Sequence, residues 1–599
     1  MVFIQLLIQA WSAVMFKKTT IAAAITISTS VLLVACGGGG DNPGTVVGNT
    51  TTTGNLQGSP RTTAALSAAQ FTGALNSSTS GAQLLQLAGT PKCGVTVSHI
   101  DFLTTGAANE STTSSAAVMV PTGTDPACTG KRPVVLYAHG TTISKSFNMA
   151  ALLDSTNAAS SETTLVAATF AAQGYIVIAP NYAGYDTSTL SYHPYVNYKQ
   201  QSQEMIDALN AGRAALTNSA VGAGDTDSGK LYVTGYSEGG YVAMAALKAM
   251  DEQHIAVTAG APMSGPYSLG AYGDAIFYGN TPIGGTVFAP LLTTGYQKAY
   301  GNLYNTTSDA YTAQYASSID SLFPTNLTQN QIFGSGKLPL SALFQSAPTG
   351  SAQLDAISPA NPKFSFGFAS SNYLINTSYR AAYLADAAAH PDGAVPTLTA
   401  SPLPATGATN GLRQAFVKND LRGYIPSMPV LMCGGNQDPT VFFAPNAQLM
   451  AGIMGNVAAA GAPVAFALLD VDATNAAKVG FSSAGLSAAV KTSMTTASTQ
   501  LMGIFGQGLQ ATVNAAVTAT KSDATVLAAA NAAGTAAAKA VLTSGGTPSD
   551  AQAAAIAAGT AYVTKAATAA AQIAVATNYH GGLVPPICTL AARTFFQQY

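Results

Sequence analysis

The run Leu231-Tyr-Val-Thr-Gly-Tyr-Ser-Glu-Gly-Gly-Tyr-Val-Ala-Met-Ala-Ala-Leu-Lys-Ala-Met250 constrains the chain more than any other. A short β-branched and aromatic segment reads as a strand, and the alanine-rich segment after it reads as a helix. Between them stands Gly235-Tyr236-Ser237-Glu238-Gly239, the pattern G-x-S-x-G. A serine held on a strained strand-to-helix turn brings the residues two before and two after it close together, and only glycine leaves room there. The same turn lifts the serine hydroxyl above the sheet and aims the first free N–H groups of the helix at it. A nucleophile then lies beside an anion site. An ordinary βα turn can carry the same five residues by chance, so the rest of the chain has to supply the partners.

The surrounding sequence alternates strand with helix. Gly94 to Phe102 and Ser111 to Val120 alternate apolar and polar residues like a half-buried antiparallel pair, while Pro133 to Ala138 and Tyr175 to Ala179 are continuous apolar runs of the kind found in buried parallel strands. Helical stretches follow at Ser161 to Gln173 and Gln200 to Leu216, then the strand and helix around Ser237. Further strands are expected at Ile255 to Ala259, Pro429 to Met432 and Val464 to Leu469. This rhythm predicts an α/β fold with a mostly parallel, doubly wound sheet, its core drawn from residues 61–264, 427–472 and 578–599.

Two segments interrupt it. Residues 265–426 are rich in Tyr, Thr, Ser, Asn and Pro and enter just past a core strand, where an inserted lid or cap is expected. Residues 473–577 are dominated by alanine and predict two or more long helices, broken at Ser544-Gly-Gly-Thr-Pro-Ser-Asp550, where Thr547 can cap a helix that has Pro548 at its first position. Leu501, Phe505, Leu509, Val513 and Val517 recur every four residues and form a ridge that must pack on something. Without the basic face of a membrane-surface helix, packing against another helix or the core is the expectation, ahead of an interfacial or oligomerising arm.

A serine alone is a weak nucleophile and needs a histidine base oriented by a carboxylate, in the chain order Ser, Asp, His for such a sheet. Asp438, in Gly434-Gly-Asn-Gln-Asp-Pro439, lies in a loop beyond a buried strand, and His580, in Asn578-Tyr-His-Gly-Gly582, precedes a final helix. Asp470 and Asp472, after the next strand, are the rival acids. Tyr137-Ala-His-Gly-Thr-Thr142 follows an apolar strand and supplies Thr141 as one oxyanion donor, with Glu238 as the other and His139 as a structural residue of the loop.

The beginning of the chain is read as an address. Met15-Phe-Lys-Lys-Thr-Thr20 resembles a charged n-region of a signal peptide starting at Met15, Ile21 to Val34 an apolar h-region, and Leu33-Val-Ala-Cys36 a lipobox ahead of a lipid-modified cysteine. The apolar run is short of the ~20 residues a membrane span needs. Gly37 follows Cys36 where aspartate would retain a lipoprotein at the inner membrane, so an outer-membrane lipoprotein is expected, released or facing the periplasm or the surface. Residues 37–60 read as a flexible tether reaching about 25–30 Å as a random coil. In an oxidising compartment the remaining Cys93, Cys128, Cys433 and Cys588 form an even set; sequence proximity favours Cys93–Cys128 and leaves Cys433–Cys588, among three connectivities.

With net charge −2 and only 8% charged residues, nucleic acid is excluded as the expected partner. The six histidines are scattered and no HExxH or CxxC spacing occurs, so neither a metal nor another cofactor is expected.

Taken together, the strand with His139-Gly-Thr141, the segment Ala179-Pro-Asn-Tyr-Ala-Gly-Tyr185 with His193-Pro-Tyr195, Gly235-Tyr-Ser-Glu-Gly239, Asp438 and His580-Gly-Gly resemble the α/β-hydrolase superfamily, and within it the secretory lipase and esterase group. The resemblance covers about Cys93 to Ser268 and Met428 to Tyr599. It implies Ser237, Asp438 and His580 as a triad, and a carboxylesterase or lipase acting on a small-molecule or lipid ester. The chain departs from the pattern at Asn181, where aspartate is commoner, and in the long insert between acid and base. A serine exopeptidase of the same fold and a binding lipoprotein on a catalytically silent scaffold are the alternatives.

Overall fold

The computed structural model describes residues 53–222, 224–394, 402–472, 474–475 and 478–599. The expected signal peptide, Cys36 and most of the tether therefore lie outside the described residues.

Alternation along the buried strands decides the layering, because successive side chains of a strand point to opposite faces. In β4 (Lys131–Ala138), Val134, Leu136 and Ala138 enter one core while Val135 and Tyr137 enter the other. The same division runs through β5 (Ile176–Pro180), β6 (Thr226–Tyr236), β10 (Val430–Gly434) and β11 (Phe466–Asp470). Apolar on both faces, these strands need helices on both sides. The helices Tyr198–Leu216 and Glu238–Glu252 cover one, and Ser160–Thr169 and the final helix Val584–Phe596 cover the other.

The ten-stranded sheet has the order β1-β2-β3-β5-β4-β6-β7-β10-β11-β12, with β1 (Leu56–Leu66), β2 (Gly94–Thr105), β3 (Ser111–Thr122), β7 (Ala259–Met263) and β12 (Phe481–Ala484) completing it. From β5 through β11 all neighbours are parallel; β1, β2, β3 and β12 pair antiparallel at the two edges. The chain order reverses between β4 and β6, and a crevice opens there at the carboxyl ends of the strands. His139-Gly-Thr141 leaves β4 and Ser237 leaves β6 at this point.

Three expectations need correction. The tether does not extend to Pro60: Leu56–Leu66 pairs with β2, with register breaks around Pro60 that suit a proline on an edge strand. The strand expected at Ile255 to Ala259 begins at Ala259, while Ile255 and Val257 pack, partly buried, against the hydrophobic core. Its residues Ala259-Gly-Ala-Pro-Met263 lack branched side chains and carry Pro262 opposite Gly235, which hides a central strand from pattern reading. The alanine-rich insert yields Phe481–Ala484 to the sheet as β12, a short polar edge strand, and its helices begin at Ala488.

The segment expected as a lid is helical, with helices that include Leu269–Phe277, Gly285–Tyr300, Thr377–Ala389 and Gly411–Asn419 and a two-residue strand pair, β8 (Phe344–Gln345) with β9 (Phe368–Ala369). Buried ion pairs hold it together: Arg413 bridges Asp274 and Asp386, and Arg422 bridges Asp392 and Asp420. The alanine-rich insert forms the helices Ala488–Lys521, Ala524–Thr543 and Pro548–Asn578, the last opened by a capping box between Thr547 and Asp550. Leu501 and Phe505 of the expected ridge are buried in the sheet's core and Leu509 packs against it. The middle helix is long and apolar enough to cross a membrane by length and composition, yet its exposed side carries Thr525, Asn531, Thr535 and Lys539.

Candidate functional site

Sterics at the turn after β6 build the centre of the site. A Cβ on Gly239 would come within 2.0 Å of the Ala138 carbonyl oxygen, and one on Gly235 within 2.4 Å of the Gly239 carbonyl oxygen. Backbone meets backbone on all sides, so neither position accepts a side chain. Ser237 sits at φ 61°, a left-handed conformation that L-residues rarely adopt, and its N–H is tied to the Met263 carbonyl at 3.0 Å. The neighbouring strands thus hold the serine in strain, as expected where a hydroxyl must be displayed.

The structure brings the three expected residues into one file. Ser237 Oγ lies 2.7 Å from His580 Nε2, and His580 Nδ1 lies 2.6 Å from Asp438 Oδ2. The other carboxylate oxygen of Asp438 accepts the N–H groups of Thr440 at 2.8 Å and Val441 at 3.0 Å. Two backbone donors therefore fix which oxygen faces the imidazole. His580 sits in an irregular turn, Tyr579–Leu583, between the long helix and the final one. The Tyr236 hydroxyl donates to the His580 carbonyl at 2.6 Å, which joins the base's backbone to the strand that carries the nucleophile.

The rival acids are engaged elsewhere. Asp470 accepts from the N–H and side-chain amide of Asn436 and from the Val479 N–H, which shapes the loop that carries Asp438. Asp472 accepts the Tyr579 hydroxyl at 2.8 Å. Tyr579 is pressed against Gly435, where a Cβ would lie 2.3 Å from its hydroxyl oxygen. These pins, and the disulfide Cys433–Cys588 with its Cα atoms 5.6 Å apart, tie the acid's strand and loop to the base's turn and helix. Cys93–Cys128 is also present and joins the start of β2 to the turn before β4.

Glu238 directly follows Ser237, and Thr141 directly follows Gly140, where a Cβ would lie 3.8 Å from that of Ser237. Glu238 is the first residue of its helix, whose leading N–H groups have no intrahelical acceptor, and among the described residues no hydrogen bond engages the Thr141 N–H. Gly140 N–H donates to Glu162 at 3.0 Å, and the Tyr137 hydroxyl donates to the same oxygen at 2.9 Å, so a carboxylate beneath the loop sets its course. Desolvation pushes the Glu162 carboxyl up to about 7. His139 is buried, within 2.7 Å of the Gly140 carbonyl and 3.1 Å of the Asn181 carbonyl, and stacked on Tyr182; burial pulls its pKa down to about 4, so it is neutral near pH 7.

A cavity of about 110 Å³ opens between Ser237 and the helices of residues 265–426. Apolar side chains such as Leu269, Phe277, Phe288, Leu343 and Phe416 line it, and Tyr195 forms part of the wall. Among the described residues no group of three or more His, Cys, Asp or Glu side chains could hold a metal ion. Local patterns in the sequence mark Ser237, Asp438 and His580. They do not mark Tyr579, Asp472 or Glu162, because those act through contacts between residues distant in the chain. His193-Pro-Tyr195 is conspicuous as a motif, but nothing local says what it touches.

The parallel sheet, its reversal beside Ser237 and the serine on a sharp strand-to-helix turn define an α/β-hydrolase fold. Over residues 161–282 the chain matches the model of the Prolyl oligopeptidase family. Among solved structures it is similar to the rice cell wall degrading esterase LipA from Xanthomonas oryzae, with 23% identity over 70% of this chain and 92% of that one and a TM-score of 0.53. A ligand-bound form of LipA gives 22% identity, 71% and 92% coverage and a TM-score of 0.54. Lipase A of Candida antarctica matches at 14% identity over 70% of this chain and 76% of that one, with a TM-score of 0.41. No curated protein matches the chain.

Proposed function

We propose that the chain is a serine hydrolase that cleaves carboxylic esters through an acyl-enzyme. The observation that carries this reading is the file Ser237–His580–Asp438, with contacts of 2.7 and 2.6 Å, opening onto an apolar cavity. Ser237 attacks the ester carbonyl as His580 Nε2 takes its proton, and the N–H groups of Thr141 and Glu238 receive the charge that develops on the carbonyl oxygen. His580 then protonates the leaving alcohol, and water repeats the sequence on the acyl-enzyme. Asp438 keeps the imidazole oriented with its proton on Nδ1 and stabilises the imidazolium. The apolar cavity suits the acyl part of the ester, and the fold-level likeness to an esterase agrees with that chemistry.

The match to the Prolyl oligopeptidase family favours a second reading, a serine peptidase, with an exopeptidase as its expected form. Such an enzyme needs a group to grip a charged peptide terminus. Among the described residues lining the cavity, the only carboxylate belongs to Glu238, and it is already engaged by His193 and Gln201. The test is turnover of p-nitrophenyl esters against aminoacyl anilides by wild type and Ser237→Ala. Ester cleavage that Ser237→Ala abolishes is expected; anilide cleavage without ester turnover would replace the first reading with the second.

We also infer, from the lipobox-like Leu33-Val-Ala-Cys36 and the short apolar run before it, that the protein is exported and held to the outer membrane through lipid on Cys36. Cys36→Ser should move the protein from the membrane to the soluble fraction, and unchanged membrane association would refute the anchor.

A further inference from the structure

We propose that the turn His193-Pro194-Tyr195 is the positioning element of the oxyanion hole, each of its two polar side chains holding one of the two donor residues. This rests on the reading of Thr141 and Glu238 as those donors.

A residue after the nucleophile needs only its backbone N–H for catalysis, yet here it is a buried glutamate. Taking a carboxylate out of water is costly unless it is paired. The Glu238 carboxylate meets His193 Nε2 at 2.6 Å and the Gln201 side-chain amide at 2.7 Å, both at the same oxygen. The His193 ring is itself fixed: Nδ1 donates to the Ala183 carbonyl at 3.0 Å, and the ring packs between Tyr182 and Tyr185, with centroids 5.6 and 4.7 Å away. Glu238 is therefore clamped at its side chain as well as by its helix.

Two residues on, the same turn reaches the other donor. The Tyr195 hydroxyl lies 2.9 Å from Thr141 Oγ1, which has no other hydrogen bond among the described residues. The Tyr195 ring stacks nearly parallel on Phe288 of the lid helix Gly285–Tyr300. The turn that joins the two clamps is short and internally bonded, with Tyr195 N–H to the His193 carbonyl at 2.8 Å and Asn197 N–H to the Pro194 carbonyl at 3.2 Å. Gly295 of the lid helix lies over it so closely that a Cβ would come 3.1 Å from the His193 carbonyl oxygen. Donors to an oxyanion must stand within a few tenths of an ångström of the right distance, so one rigid piece that sets both is an economical way to hold their separation.

The discriminating variant is Tyr195→Phe, which removes one hydroxyl and leaves the ring on the cavity wall. With p-nitrophenyl butyrate, kcat should fall about tenfold and KM stay within about twofold, and a butyl trifluoromethyl ketone, which mimics the tetrahedral adduct, should lose affinity by the same factor as kcat/KM. Thr141→Val should lose as much, and the double variant no more than either, because both remove one contact. Glu238→Ala should lose at least about thirtyfold in kcat, and Glu238→Gln, which keeps an acceptor for His193, should recover most of it. Independent, multiplying losses in the double variant, a change in KM or melting temperature alone, or full activity in Tyr195→Phe would overturn the proposal. If Ser237→Ala itself retains turnover, the serine-hydrolase reading fails instead, and the two failures are told apart.

Discussion

Asp438→Asn tests the arrangement at its most specific point. One oxygen of Asp438 accepts two backbone N–H groups, from Thr440 and Val441, and the other faces His580 Nδ1. An asparagine at this position must keep its oxygen toward the two N–H groups. Reversing the amide would set NH2 against both donors and leave each buried without an acceptor, at about 1–3 kcal/mol apiece. The amide NH2 therefore points at His580 Nδ1, which must become an acceptor. A neutral imidazole carries its proton on one nitrogen or the other, so the proton moves to Nε2, the atom 2.7 Å from Ser237 Oγ. There it cannot take the serine's proton, and the negative charge that stabilised the imidazolium is gone. A wrong tautomer of this kind lowers kcat by about 10⁴, or about 5.4 kcal/mol of transition-state stabilisation. The assay is kcat and kcat/KM on p-nitrophenyl butyrate from pH 6 to 9, with the melting temperature measured alongside. The melting temperature should change little, because the Thr440 and Val441 bonds survive. Asp472→Asn, which still offers an oxygen to Tyr579, should stay within about tenfold of wild type. Turnover of Asp438→Asn within tenfold of wild type, or a larger loss in Asp472→Asn, would refute the assignment of the acid.

Gly239→Ala should abolish soluble expression, since its Cβ would meet the Ala138 carbonyl at 2.0 Å, whereas Gly581→Ala, with nothing within 4 Å of its Cβ, should express and melt like wild type. Replacing both Cys433 and Cys588 with serine should cost about 3–5 kcal/mol in urea unfolding, and about 1 kcal/mol more than the same change at Cys93 and Cys128, because the bridges close loops of 155 and 35 residues. Glu162→Gln isolates one titration. A carboxyl held up to about 7 in the fold keeps its proton more tightly than in the unfolded chain, so its contribution to stability is complete below the unfolded value near 4.5, declines as pH rises and is lost above about 7. Melting temperature from pH 4.5 to 8 should therefore fall less steeply in Glu162→Gln than in wild type; parallel curves would refute the assignment.

Where chemistry is imposed by local geometry, the chain announces it. Gly235 is required by the Gly239 carbonyl oxygen four residues on, while Gly239 is required by the Ala138 carbonyl oxygen at the end of the neighbouring strand β4; the pentapeptide with its flanking strand and helix still marked Ser237. Asp438 and His580 were legible from their places, one beyond an apolar strand and one ahead of the last helix. The sheet was legible where its strands run apolar on both faces or alternate apolar with polar, as β2 and β3 do, and obscure elsewhere: β1, β12 and the proline-bearing β7 lack either pattern. The supports of the site were hidden for a different reason. Tyr579 meets Asp472 across 107 residues of chain, and Tyr195 meets Thr141 across 54, and no local pattern encodes such pairs.

The separation between Asp438 and His580, 142 residues, places the alanine-rich insertion inside the proposed triad. Its cost to the site is smaller than its length suggests. Closing a flexible loop becomes harder only with the logarithm of its length, about 0.6 kcal/mol per doubling, and most of this loop is helix that does not have to be ordered by the site. What matters is how firmly the two ends are joined. The entrance is held where Asp470 shapes the Asp438 loop and where Val490, Met494, Leu501 and Phe505 bury the first turns of the helix Ala488–Lys521 in the sheet's core. The exit is held by Tyr579 on Asp472, by Tyr236 on the His580 carbonyl and by Cys588 on Cys433. Apart from the helix Ala488–Lys521, which is anchored through its own apolar side chains, these contacts lie close to Asp438 or His580 or on the strands beside them. The insertion can therefore vary in its outer parts while the imidazole stays between the carboxylate and the serine hydroxyl, since the site's geometry is carried by the residues at its base.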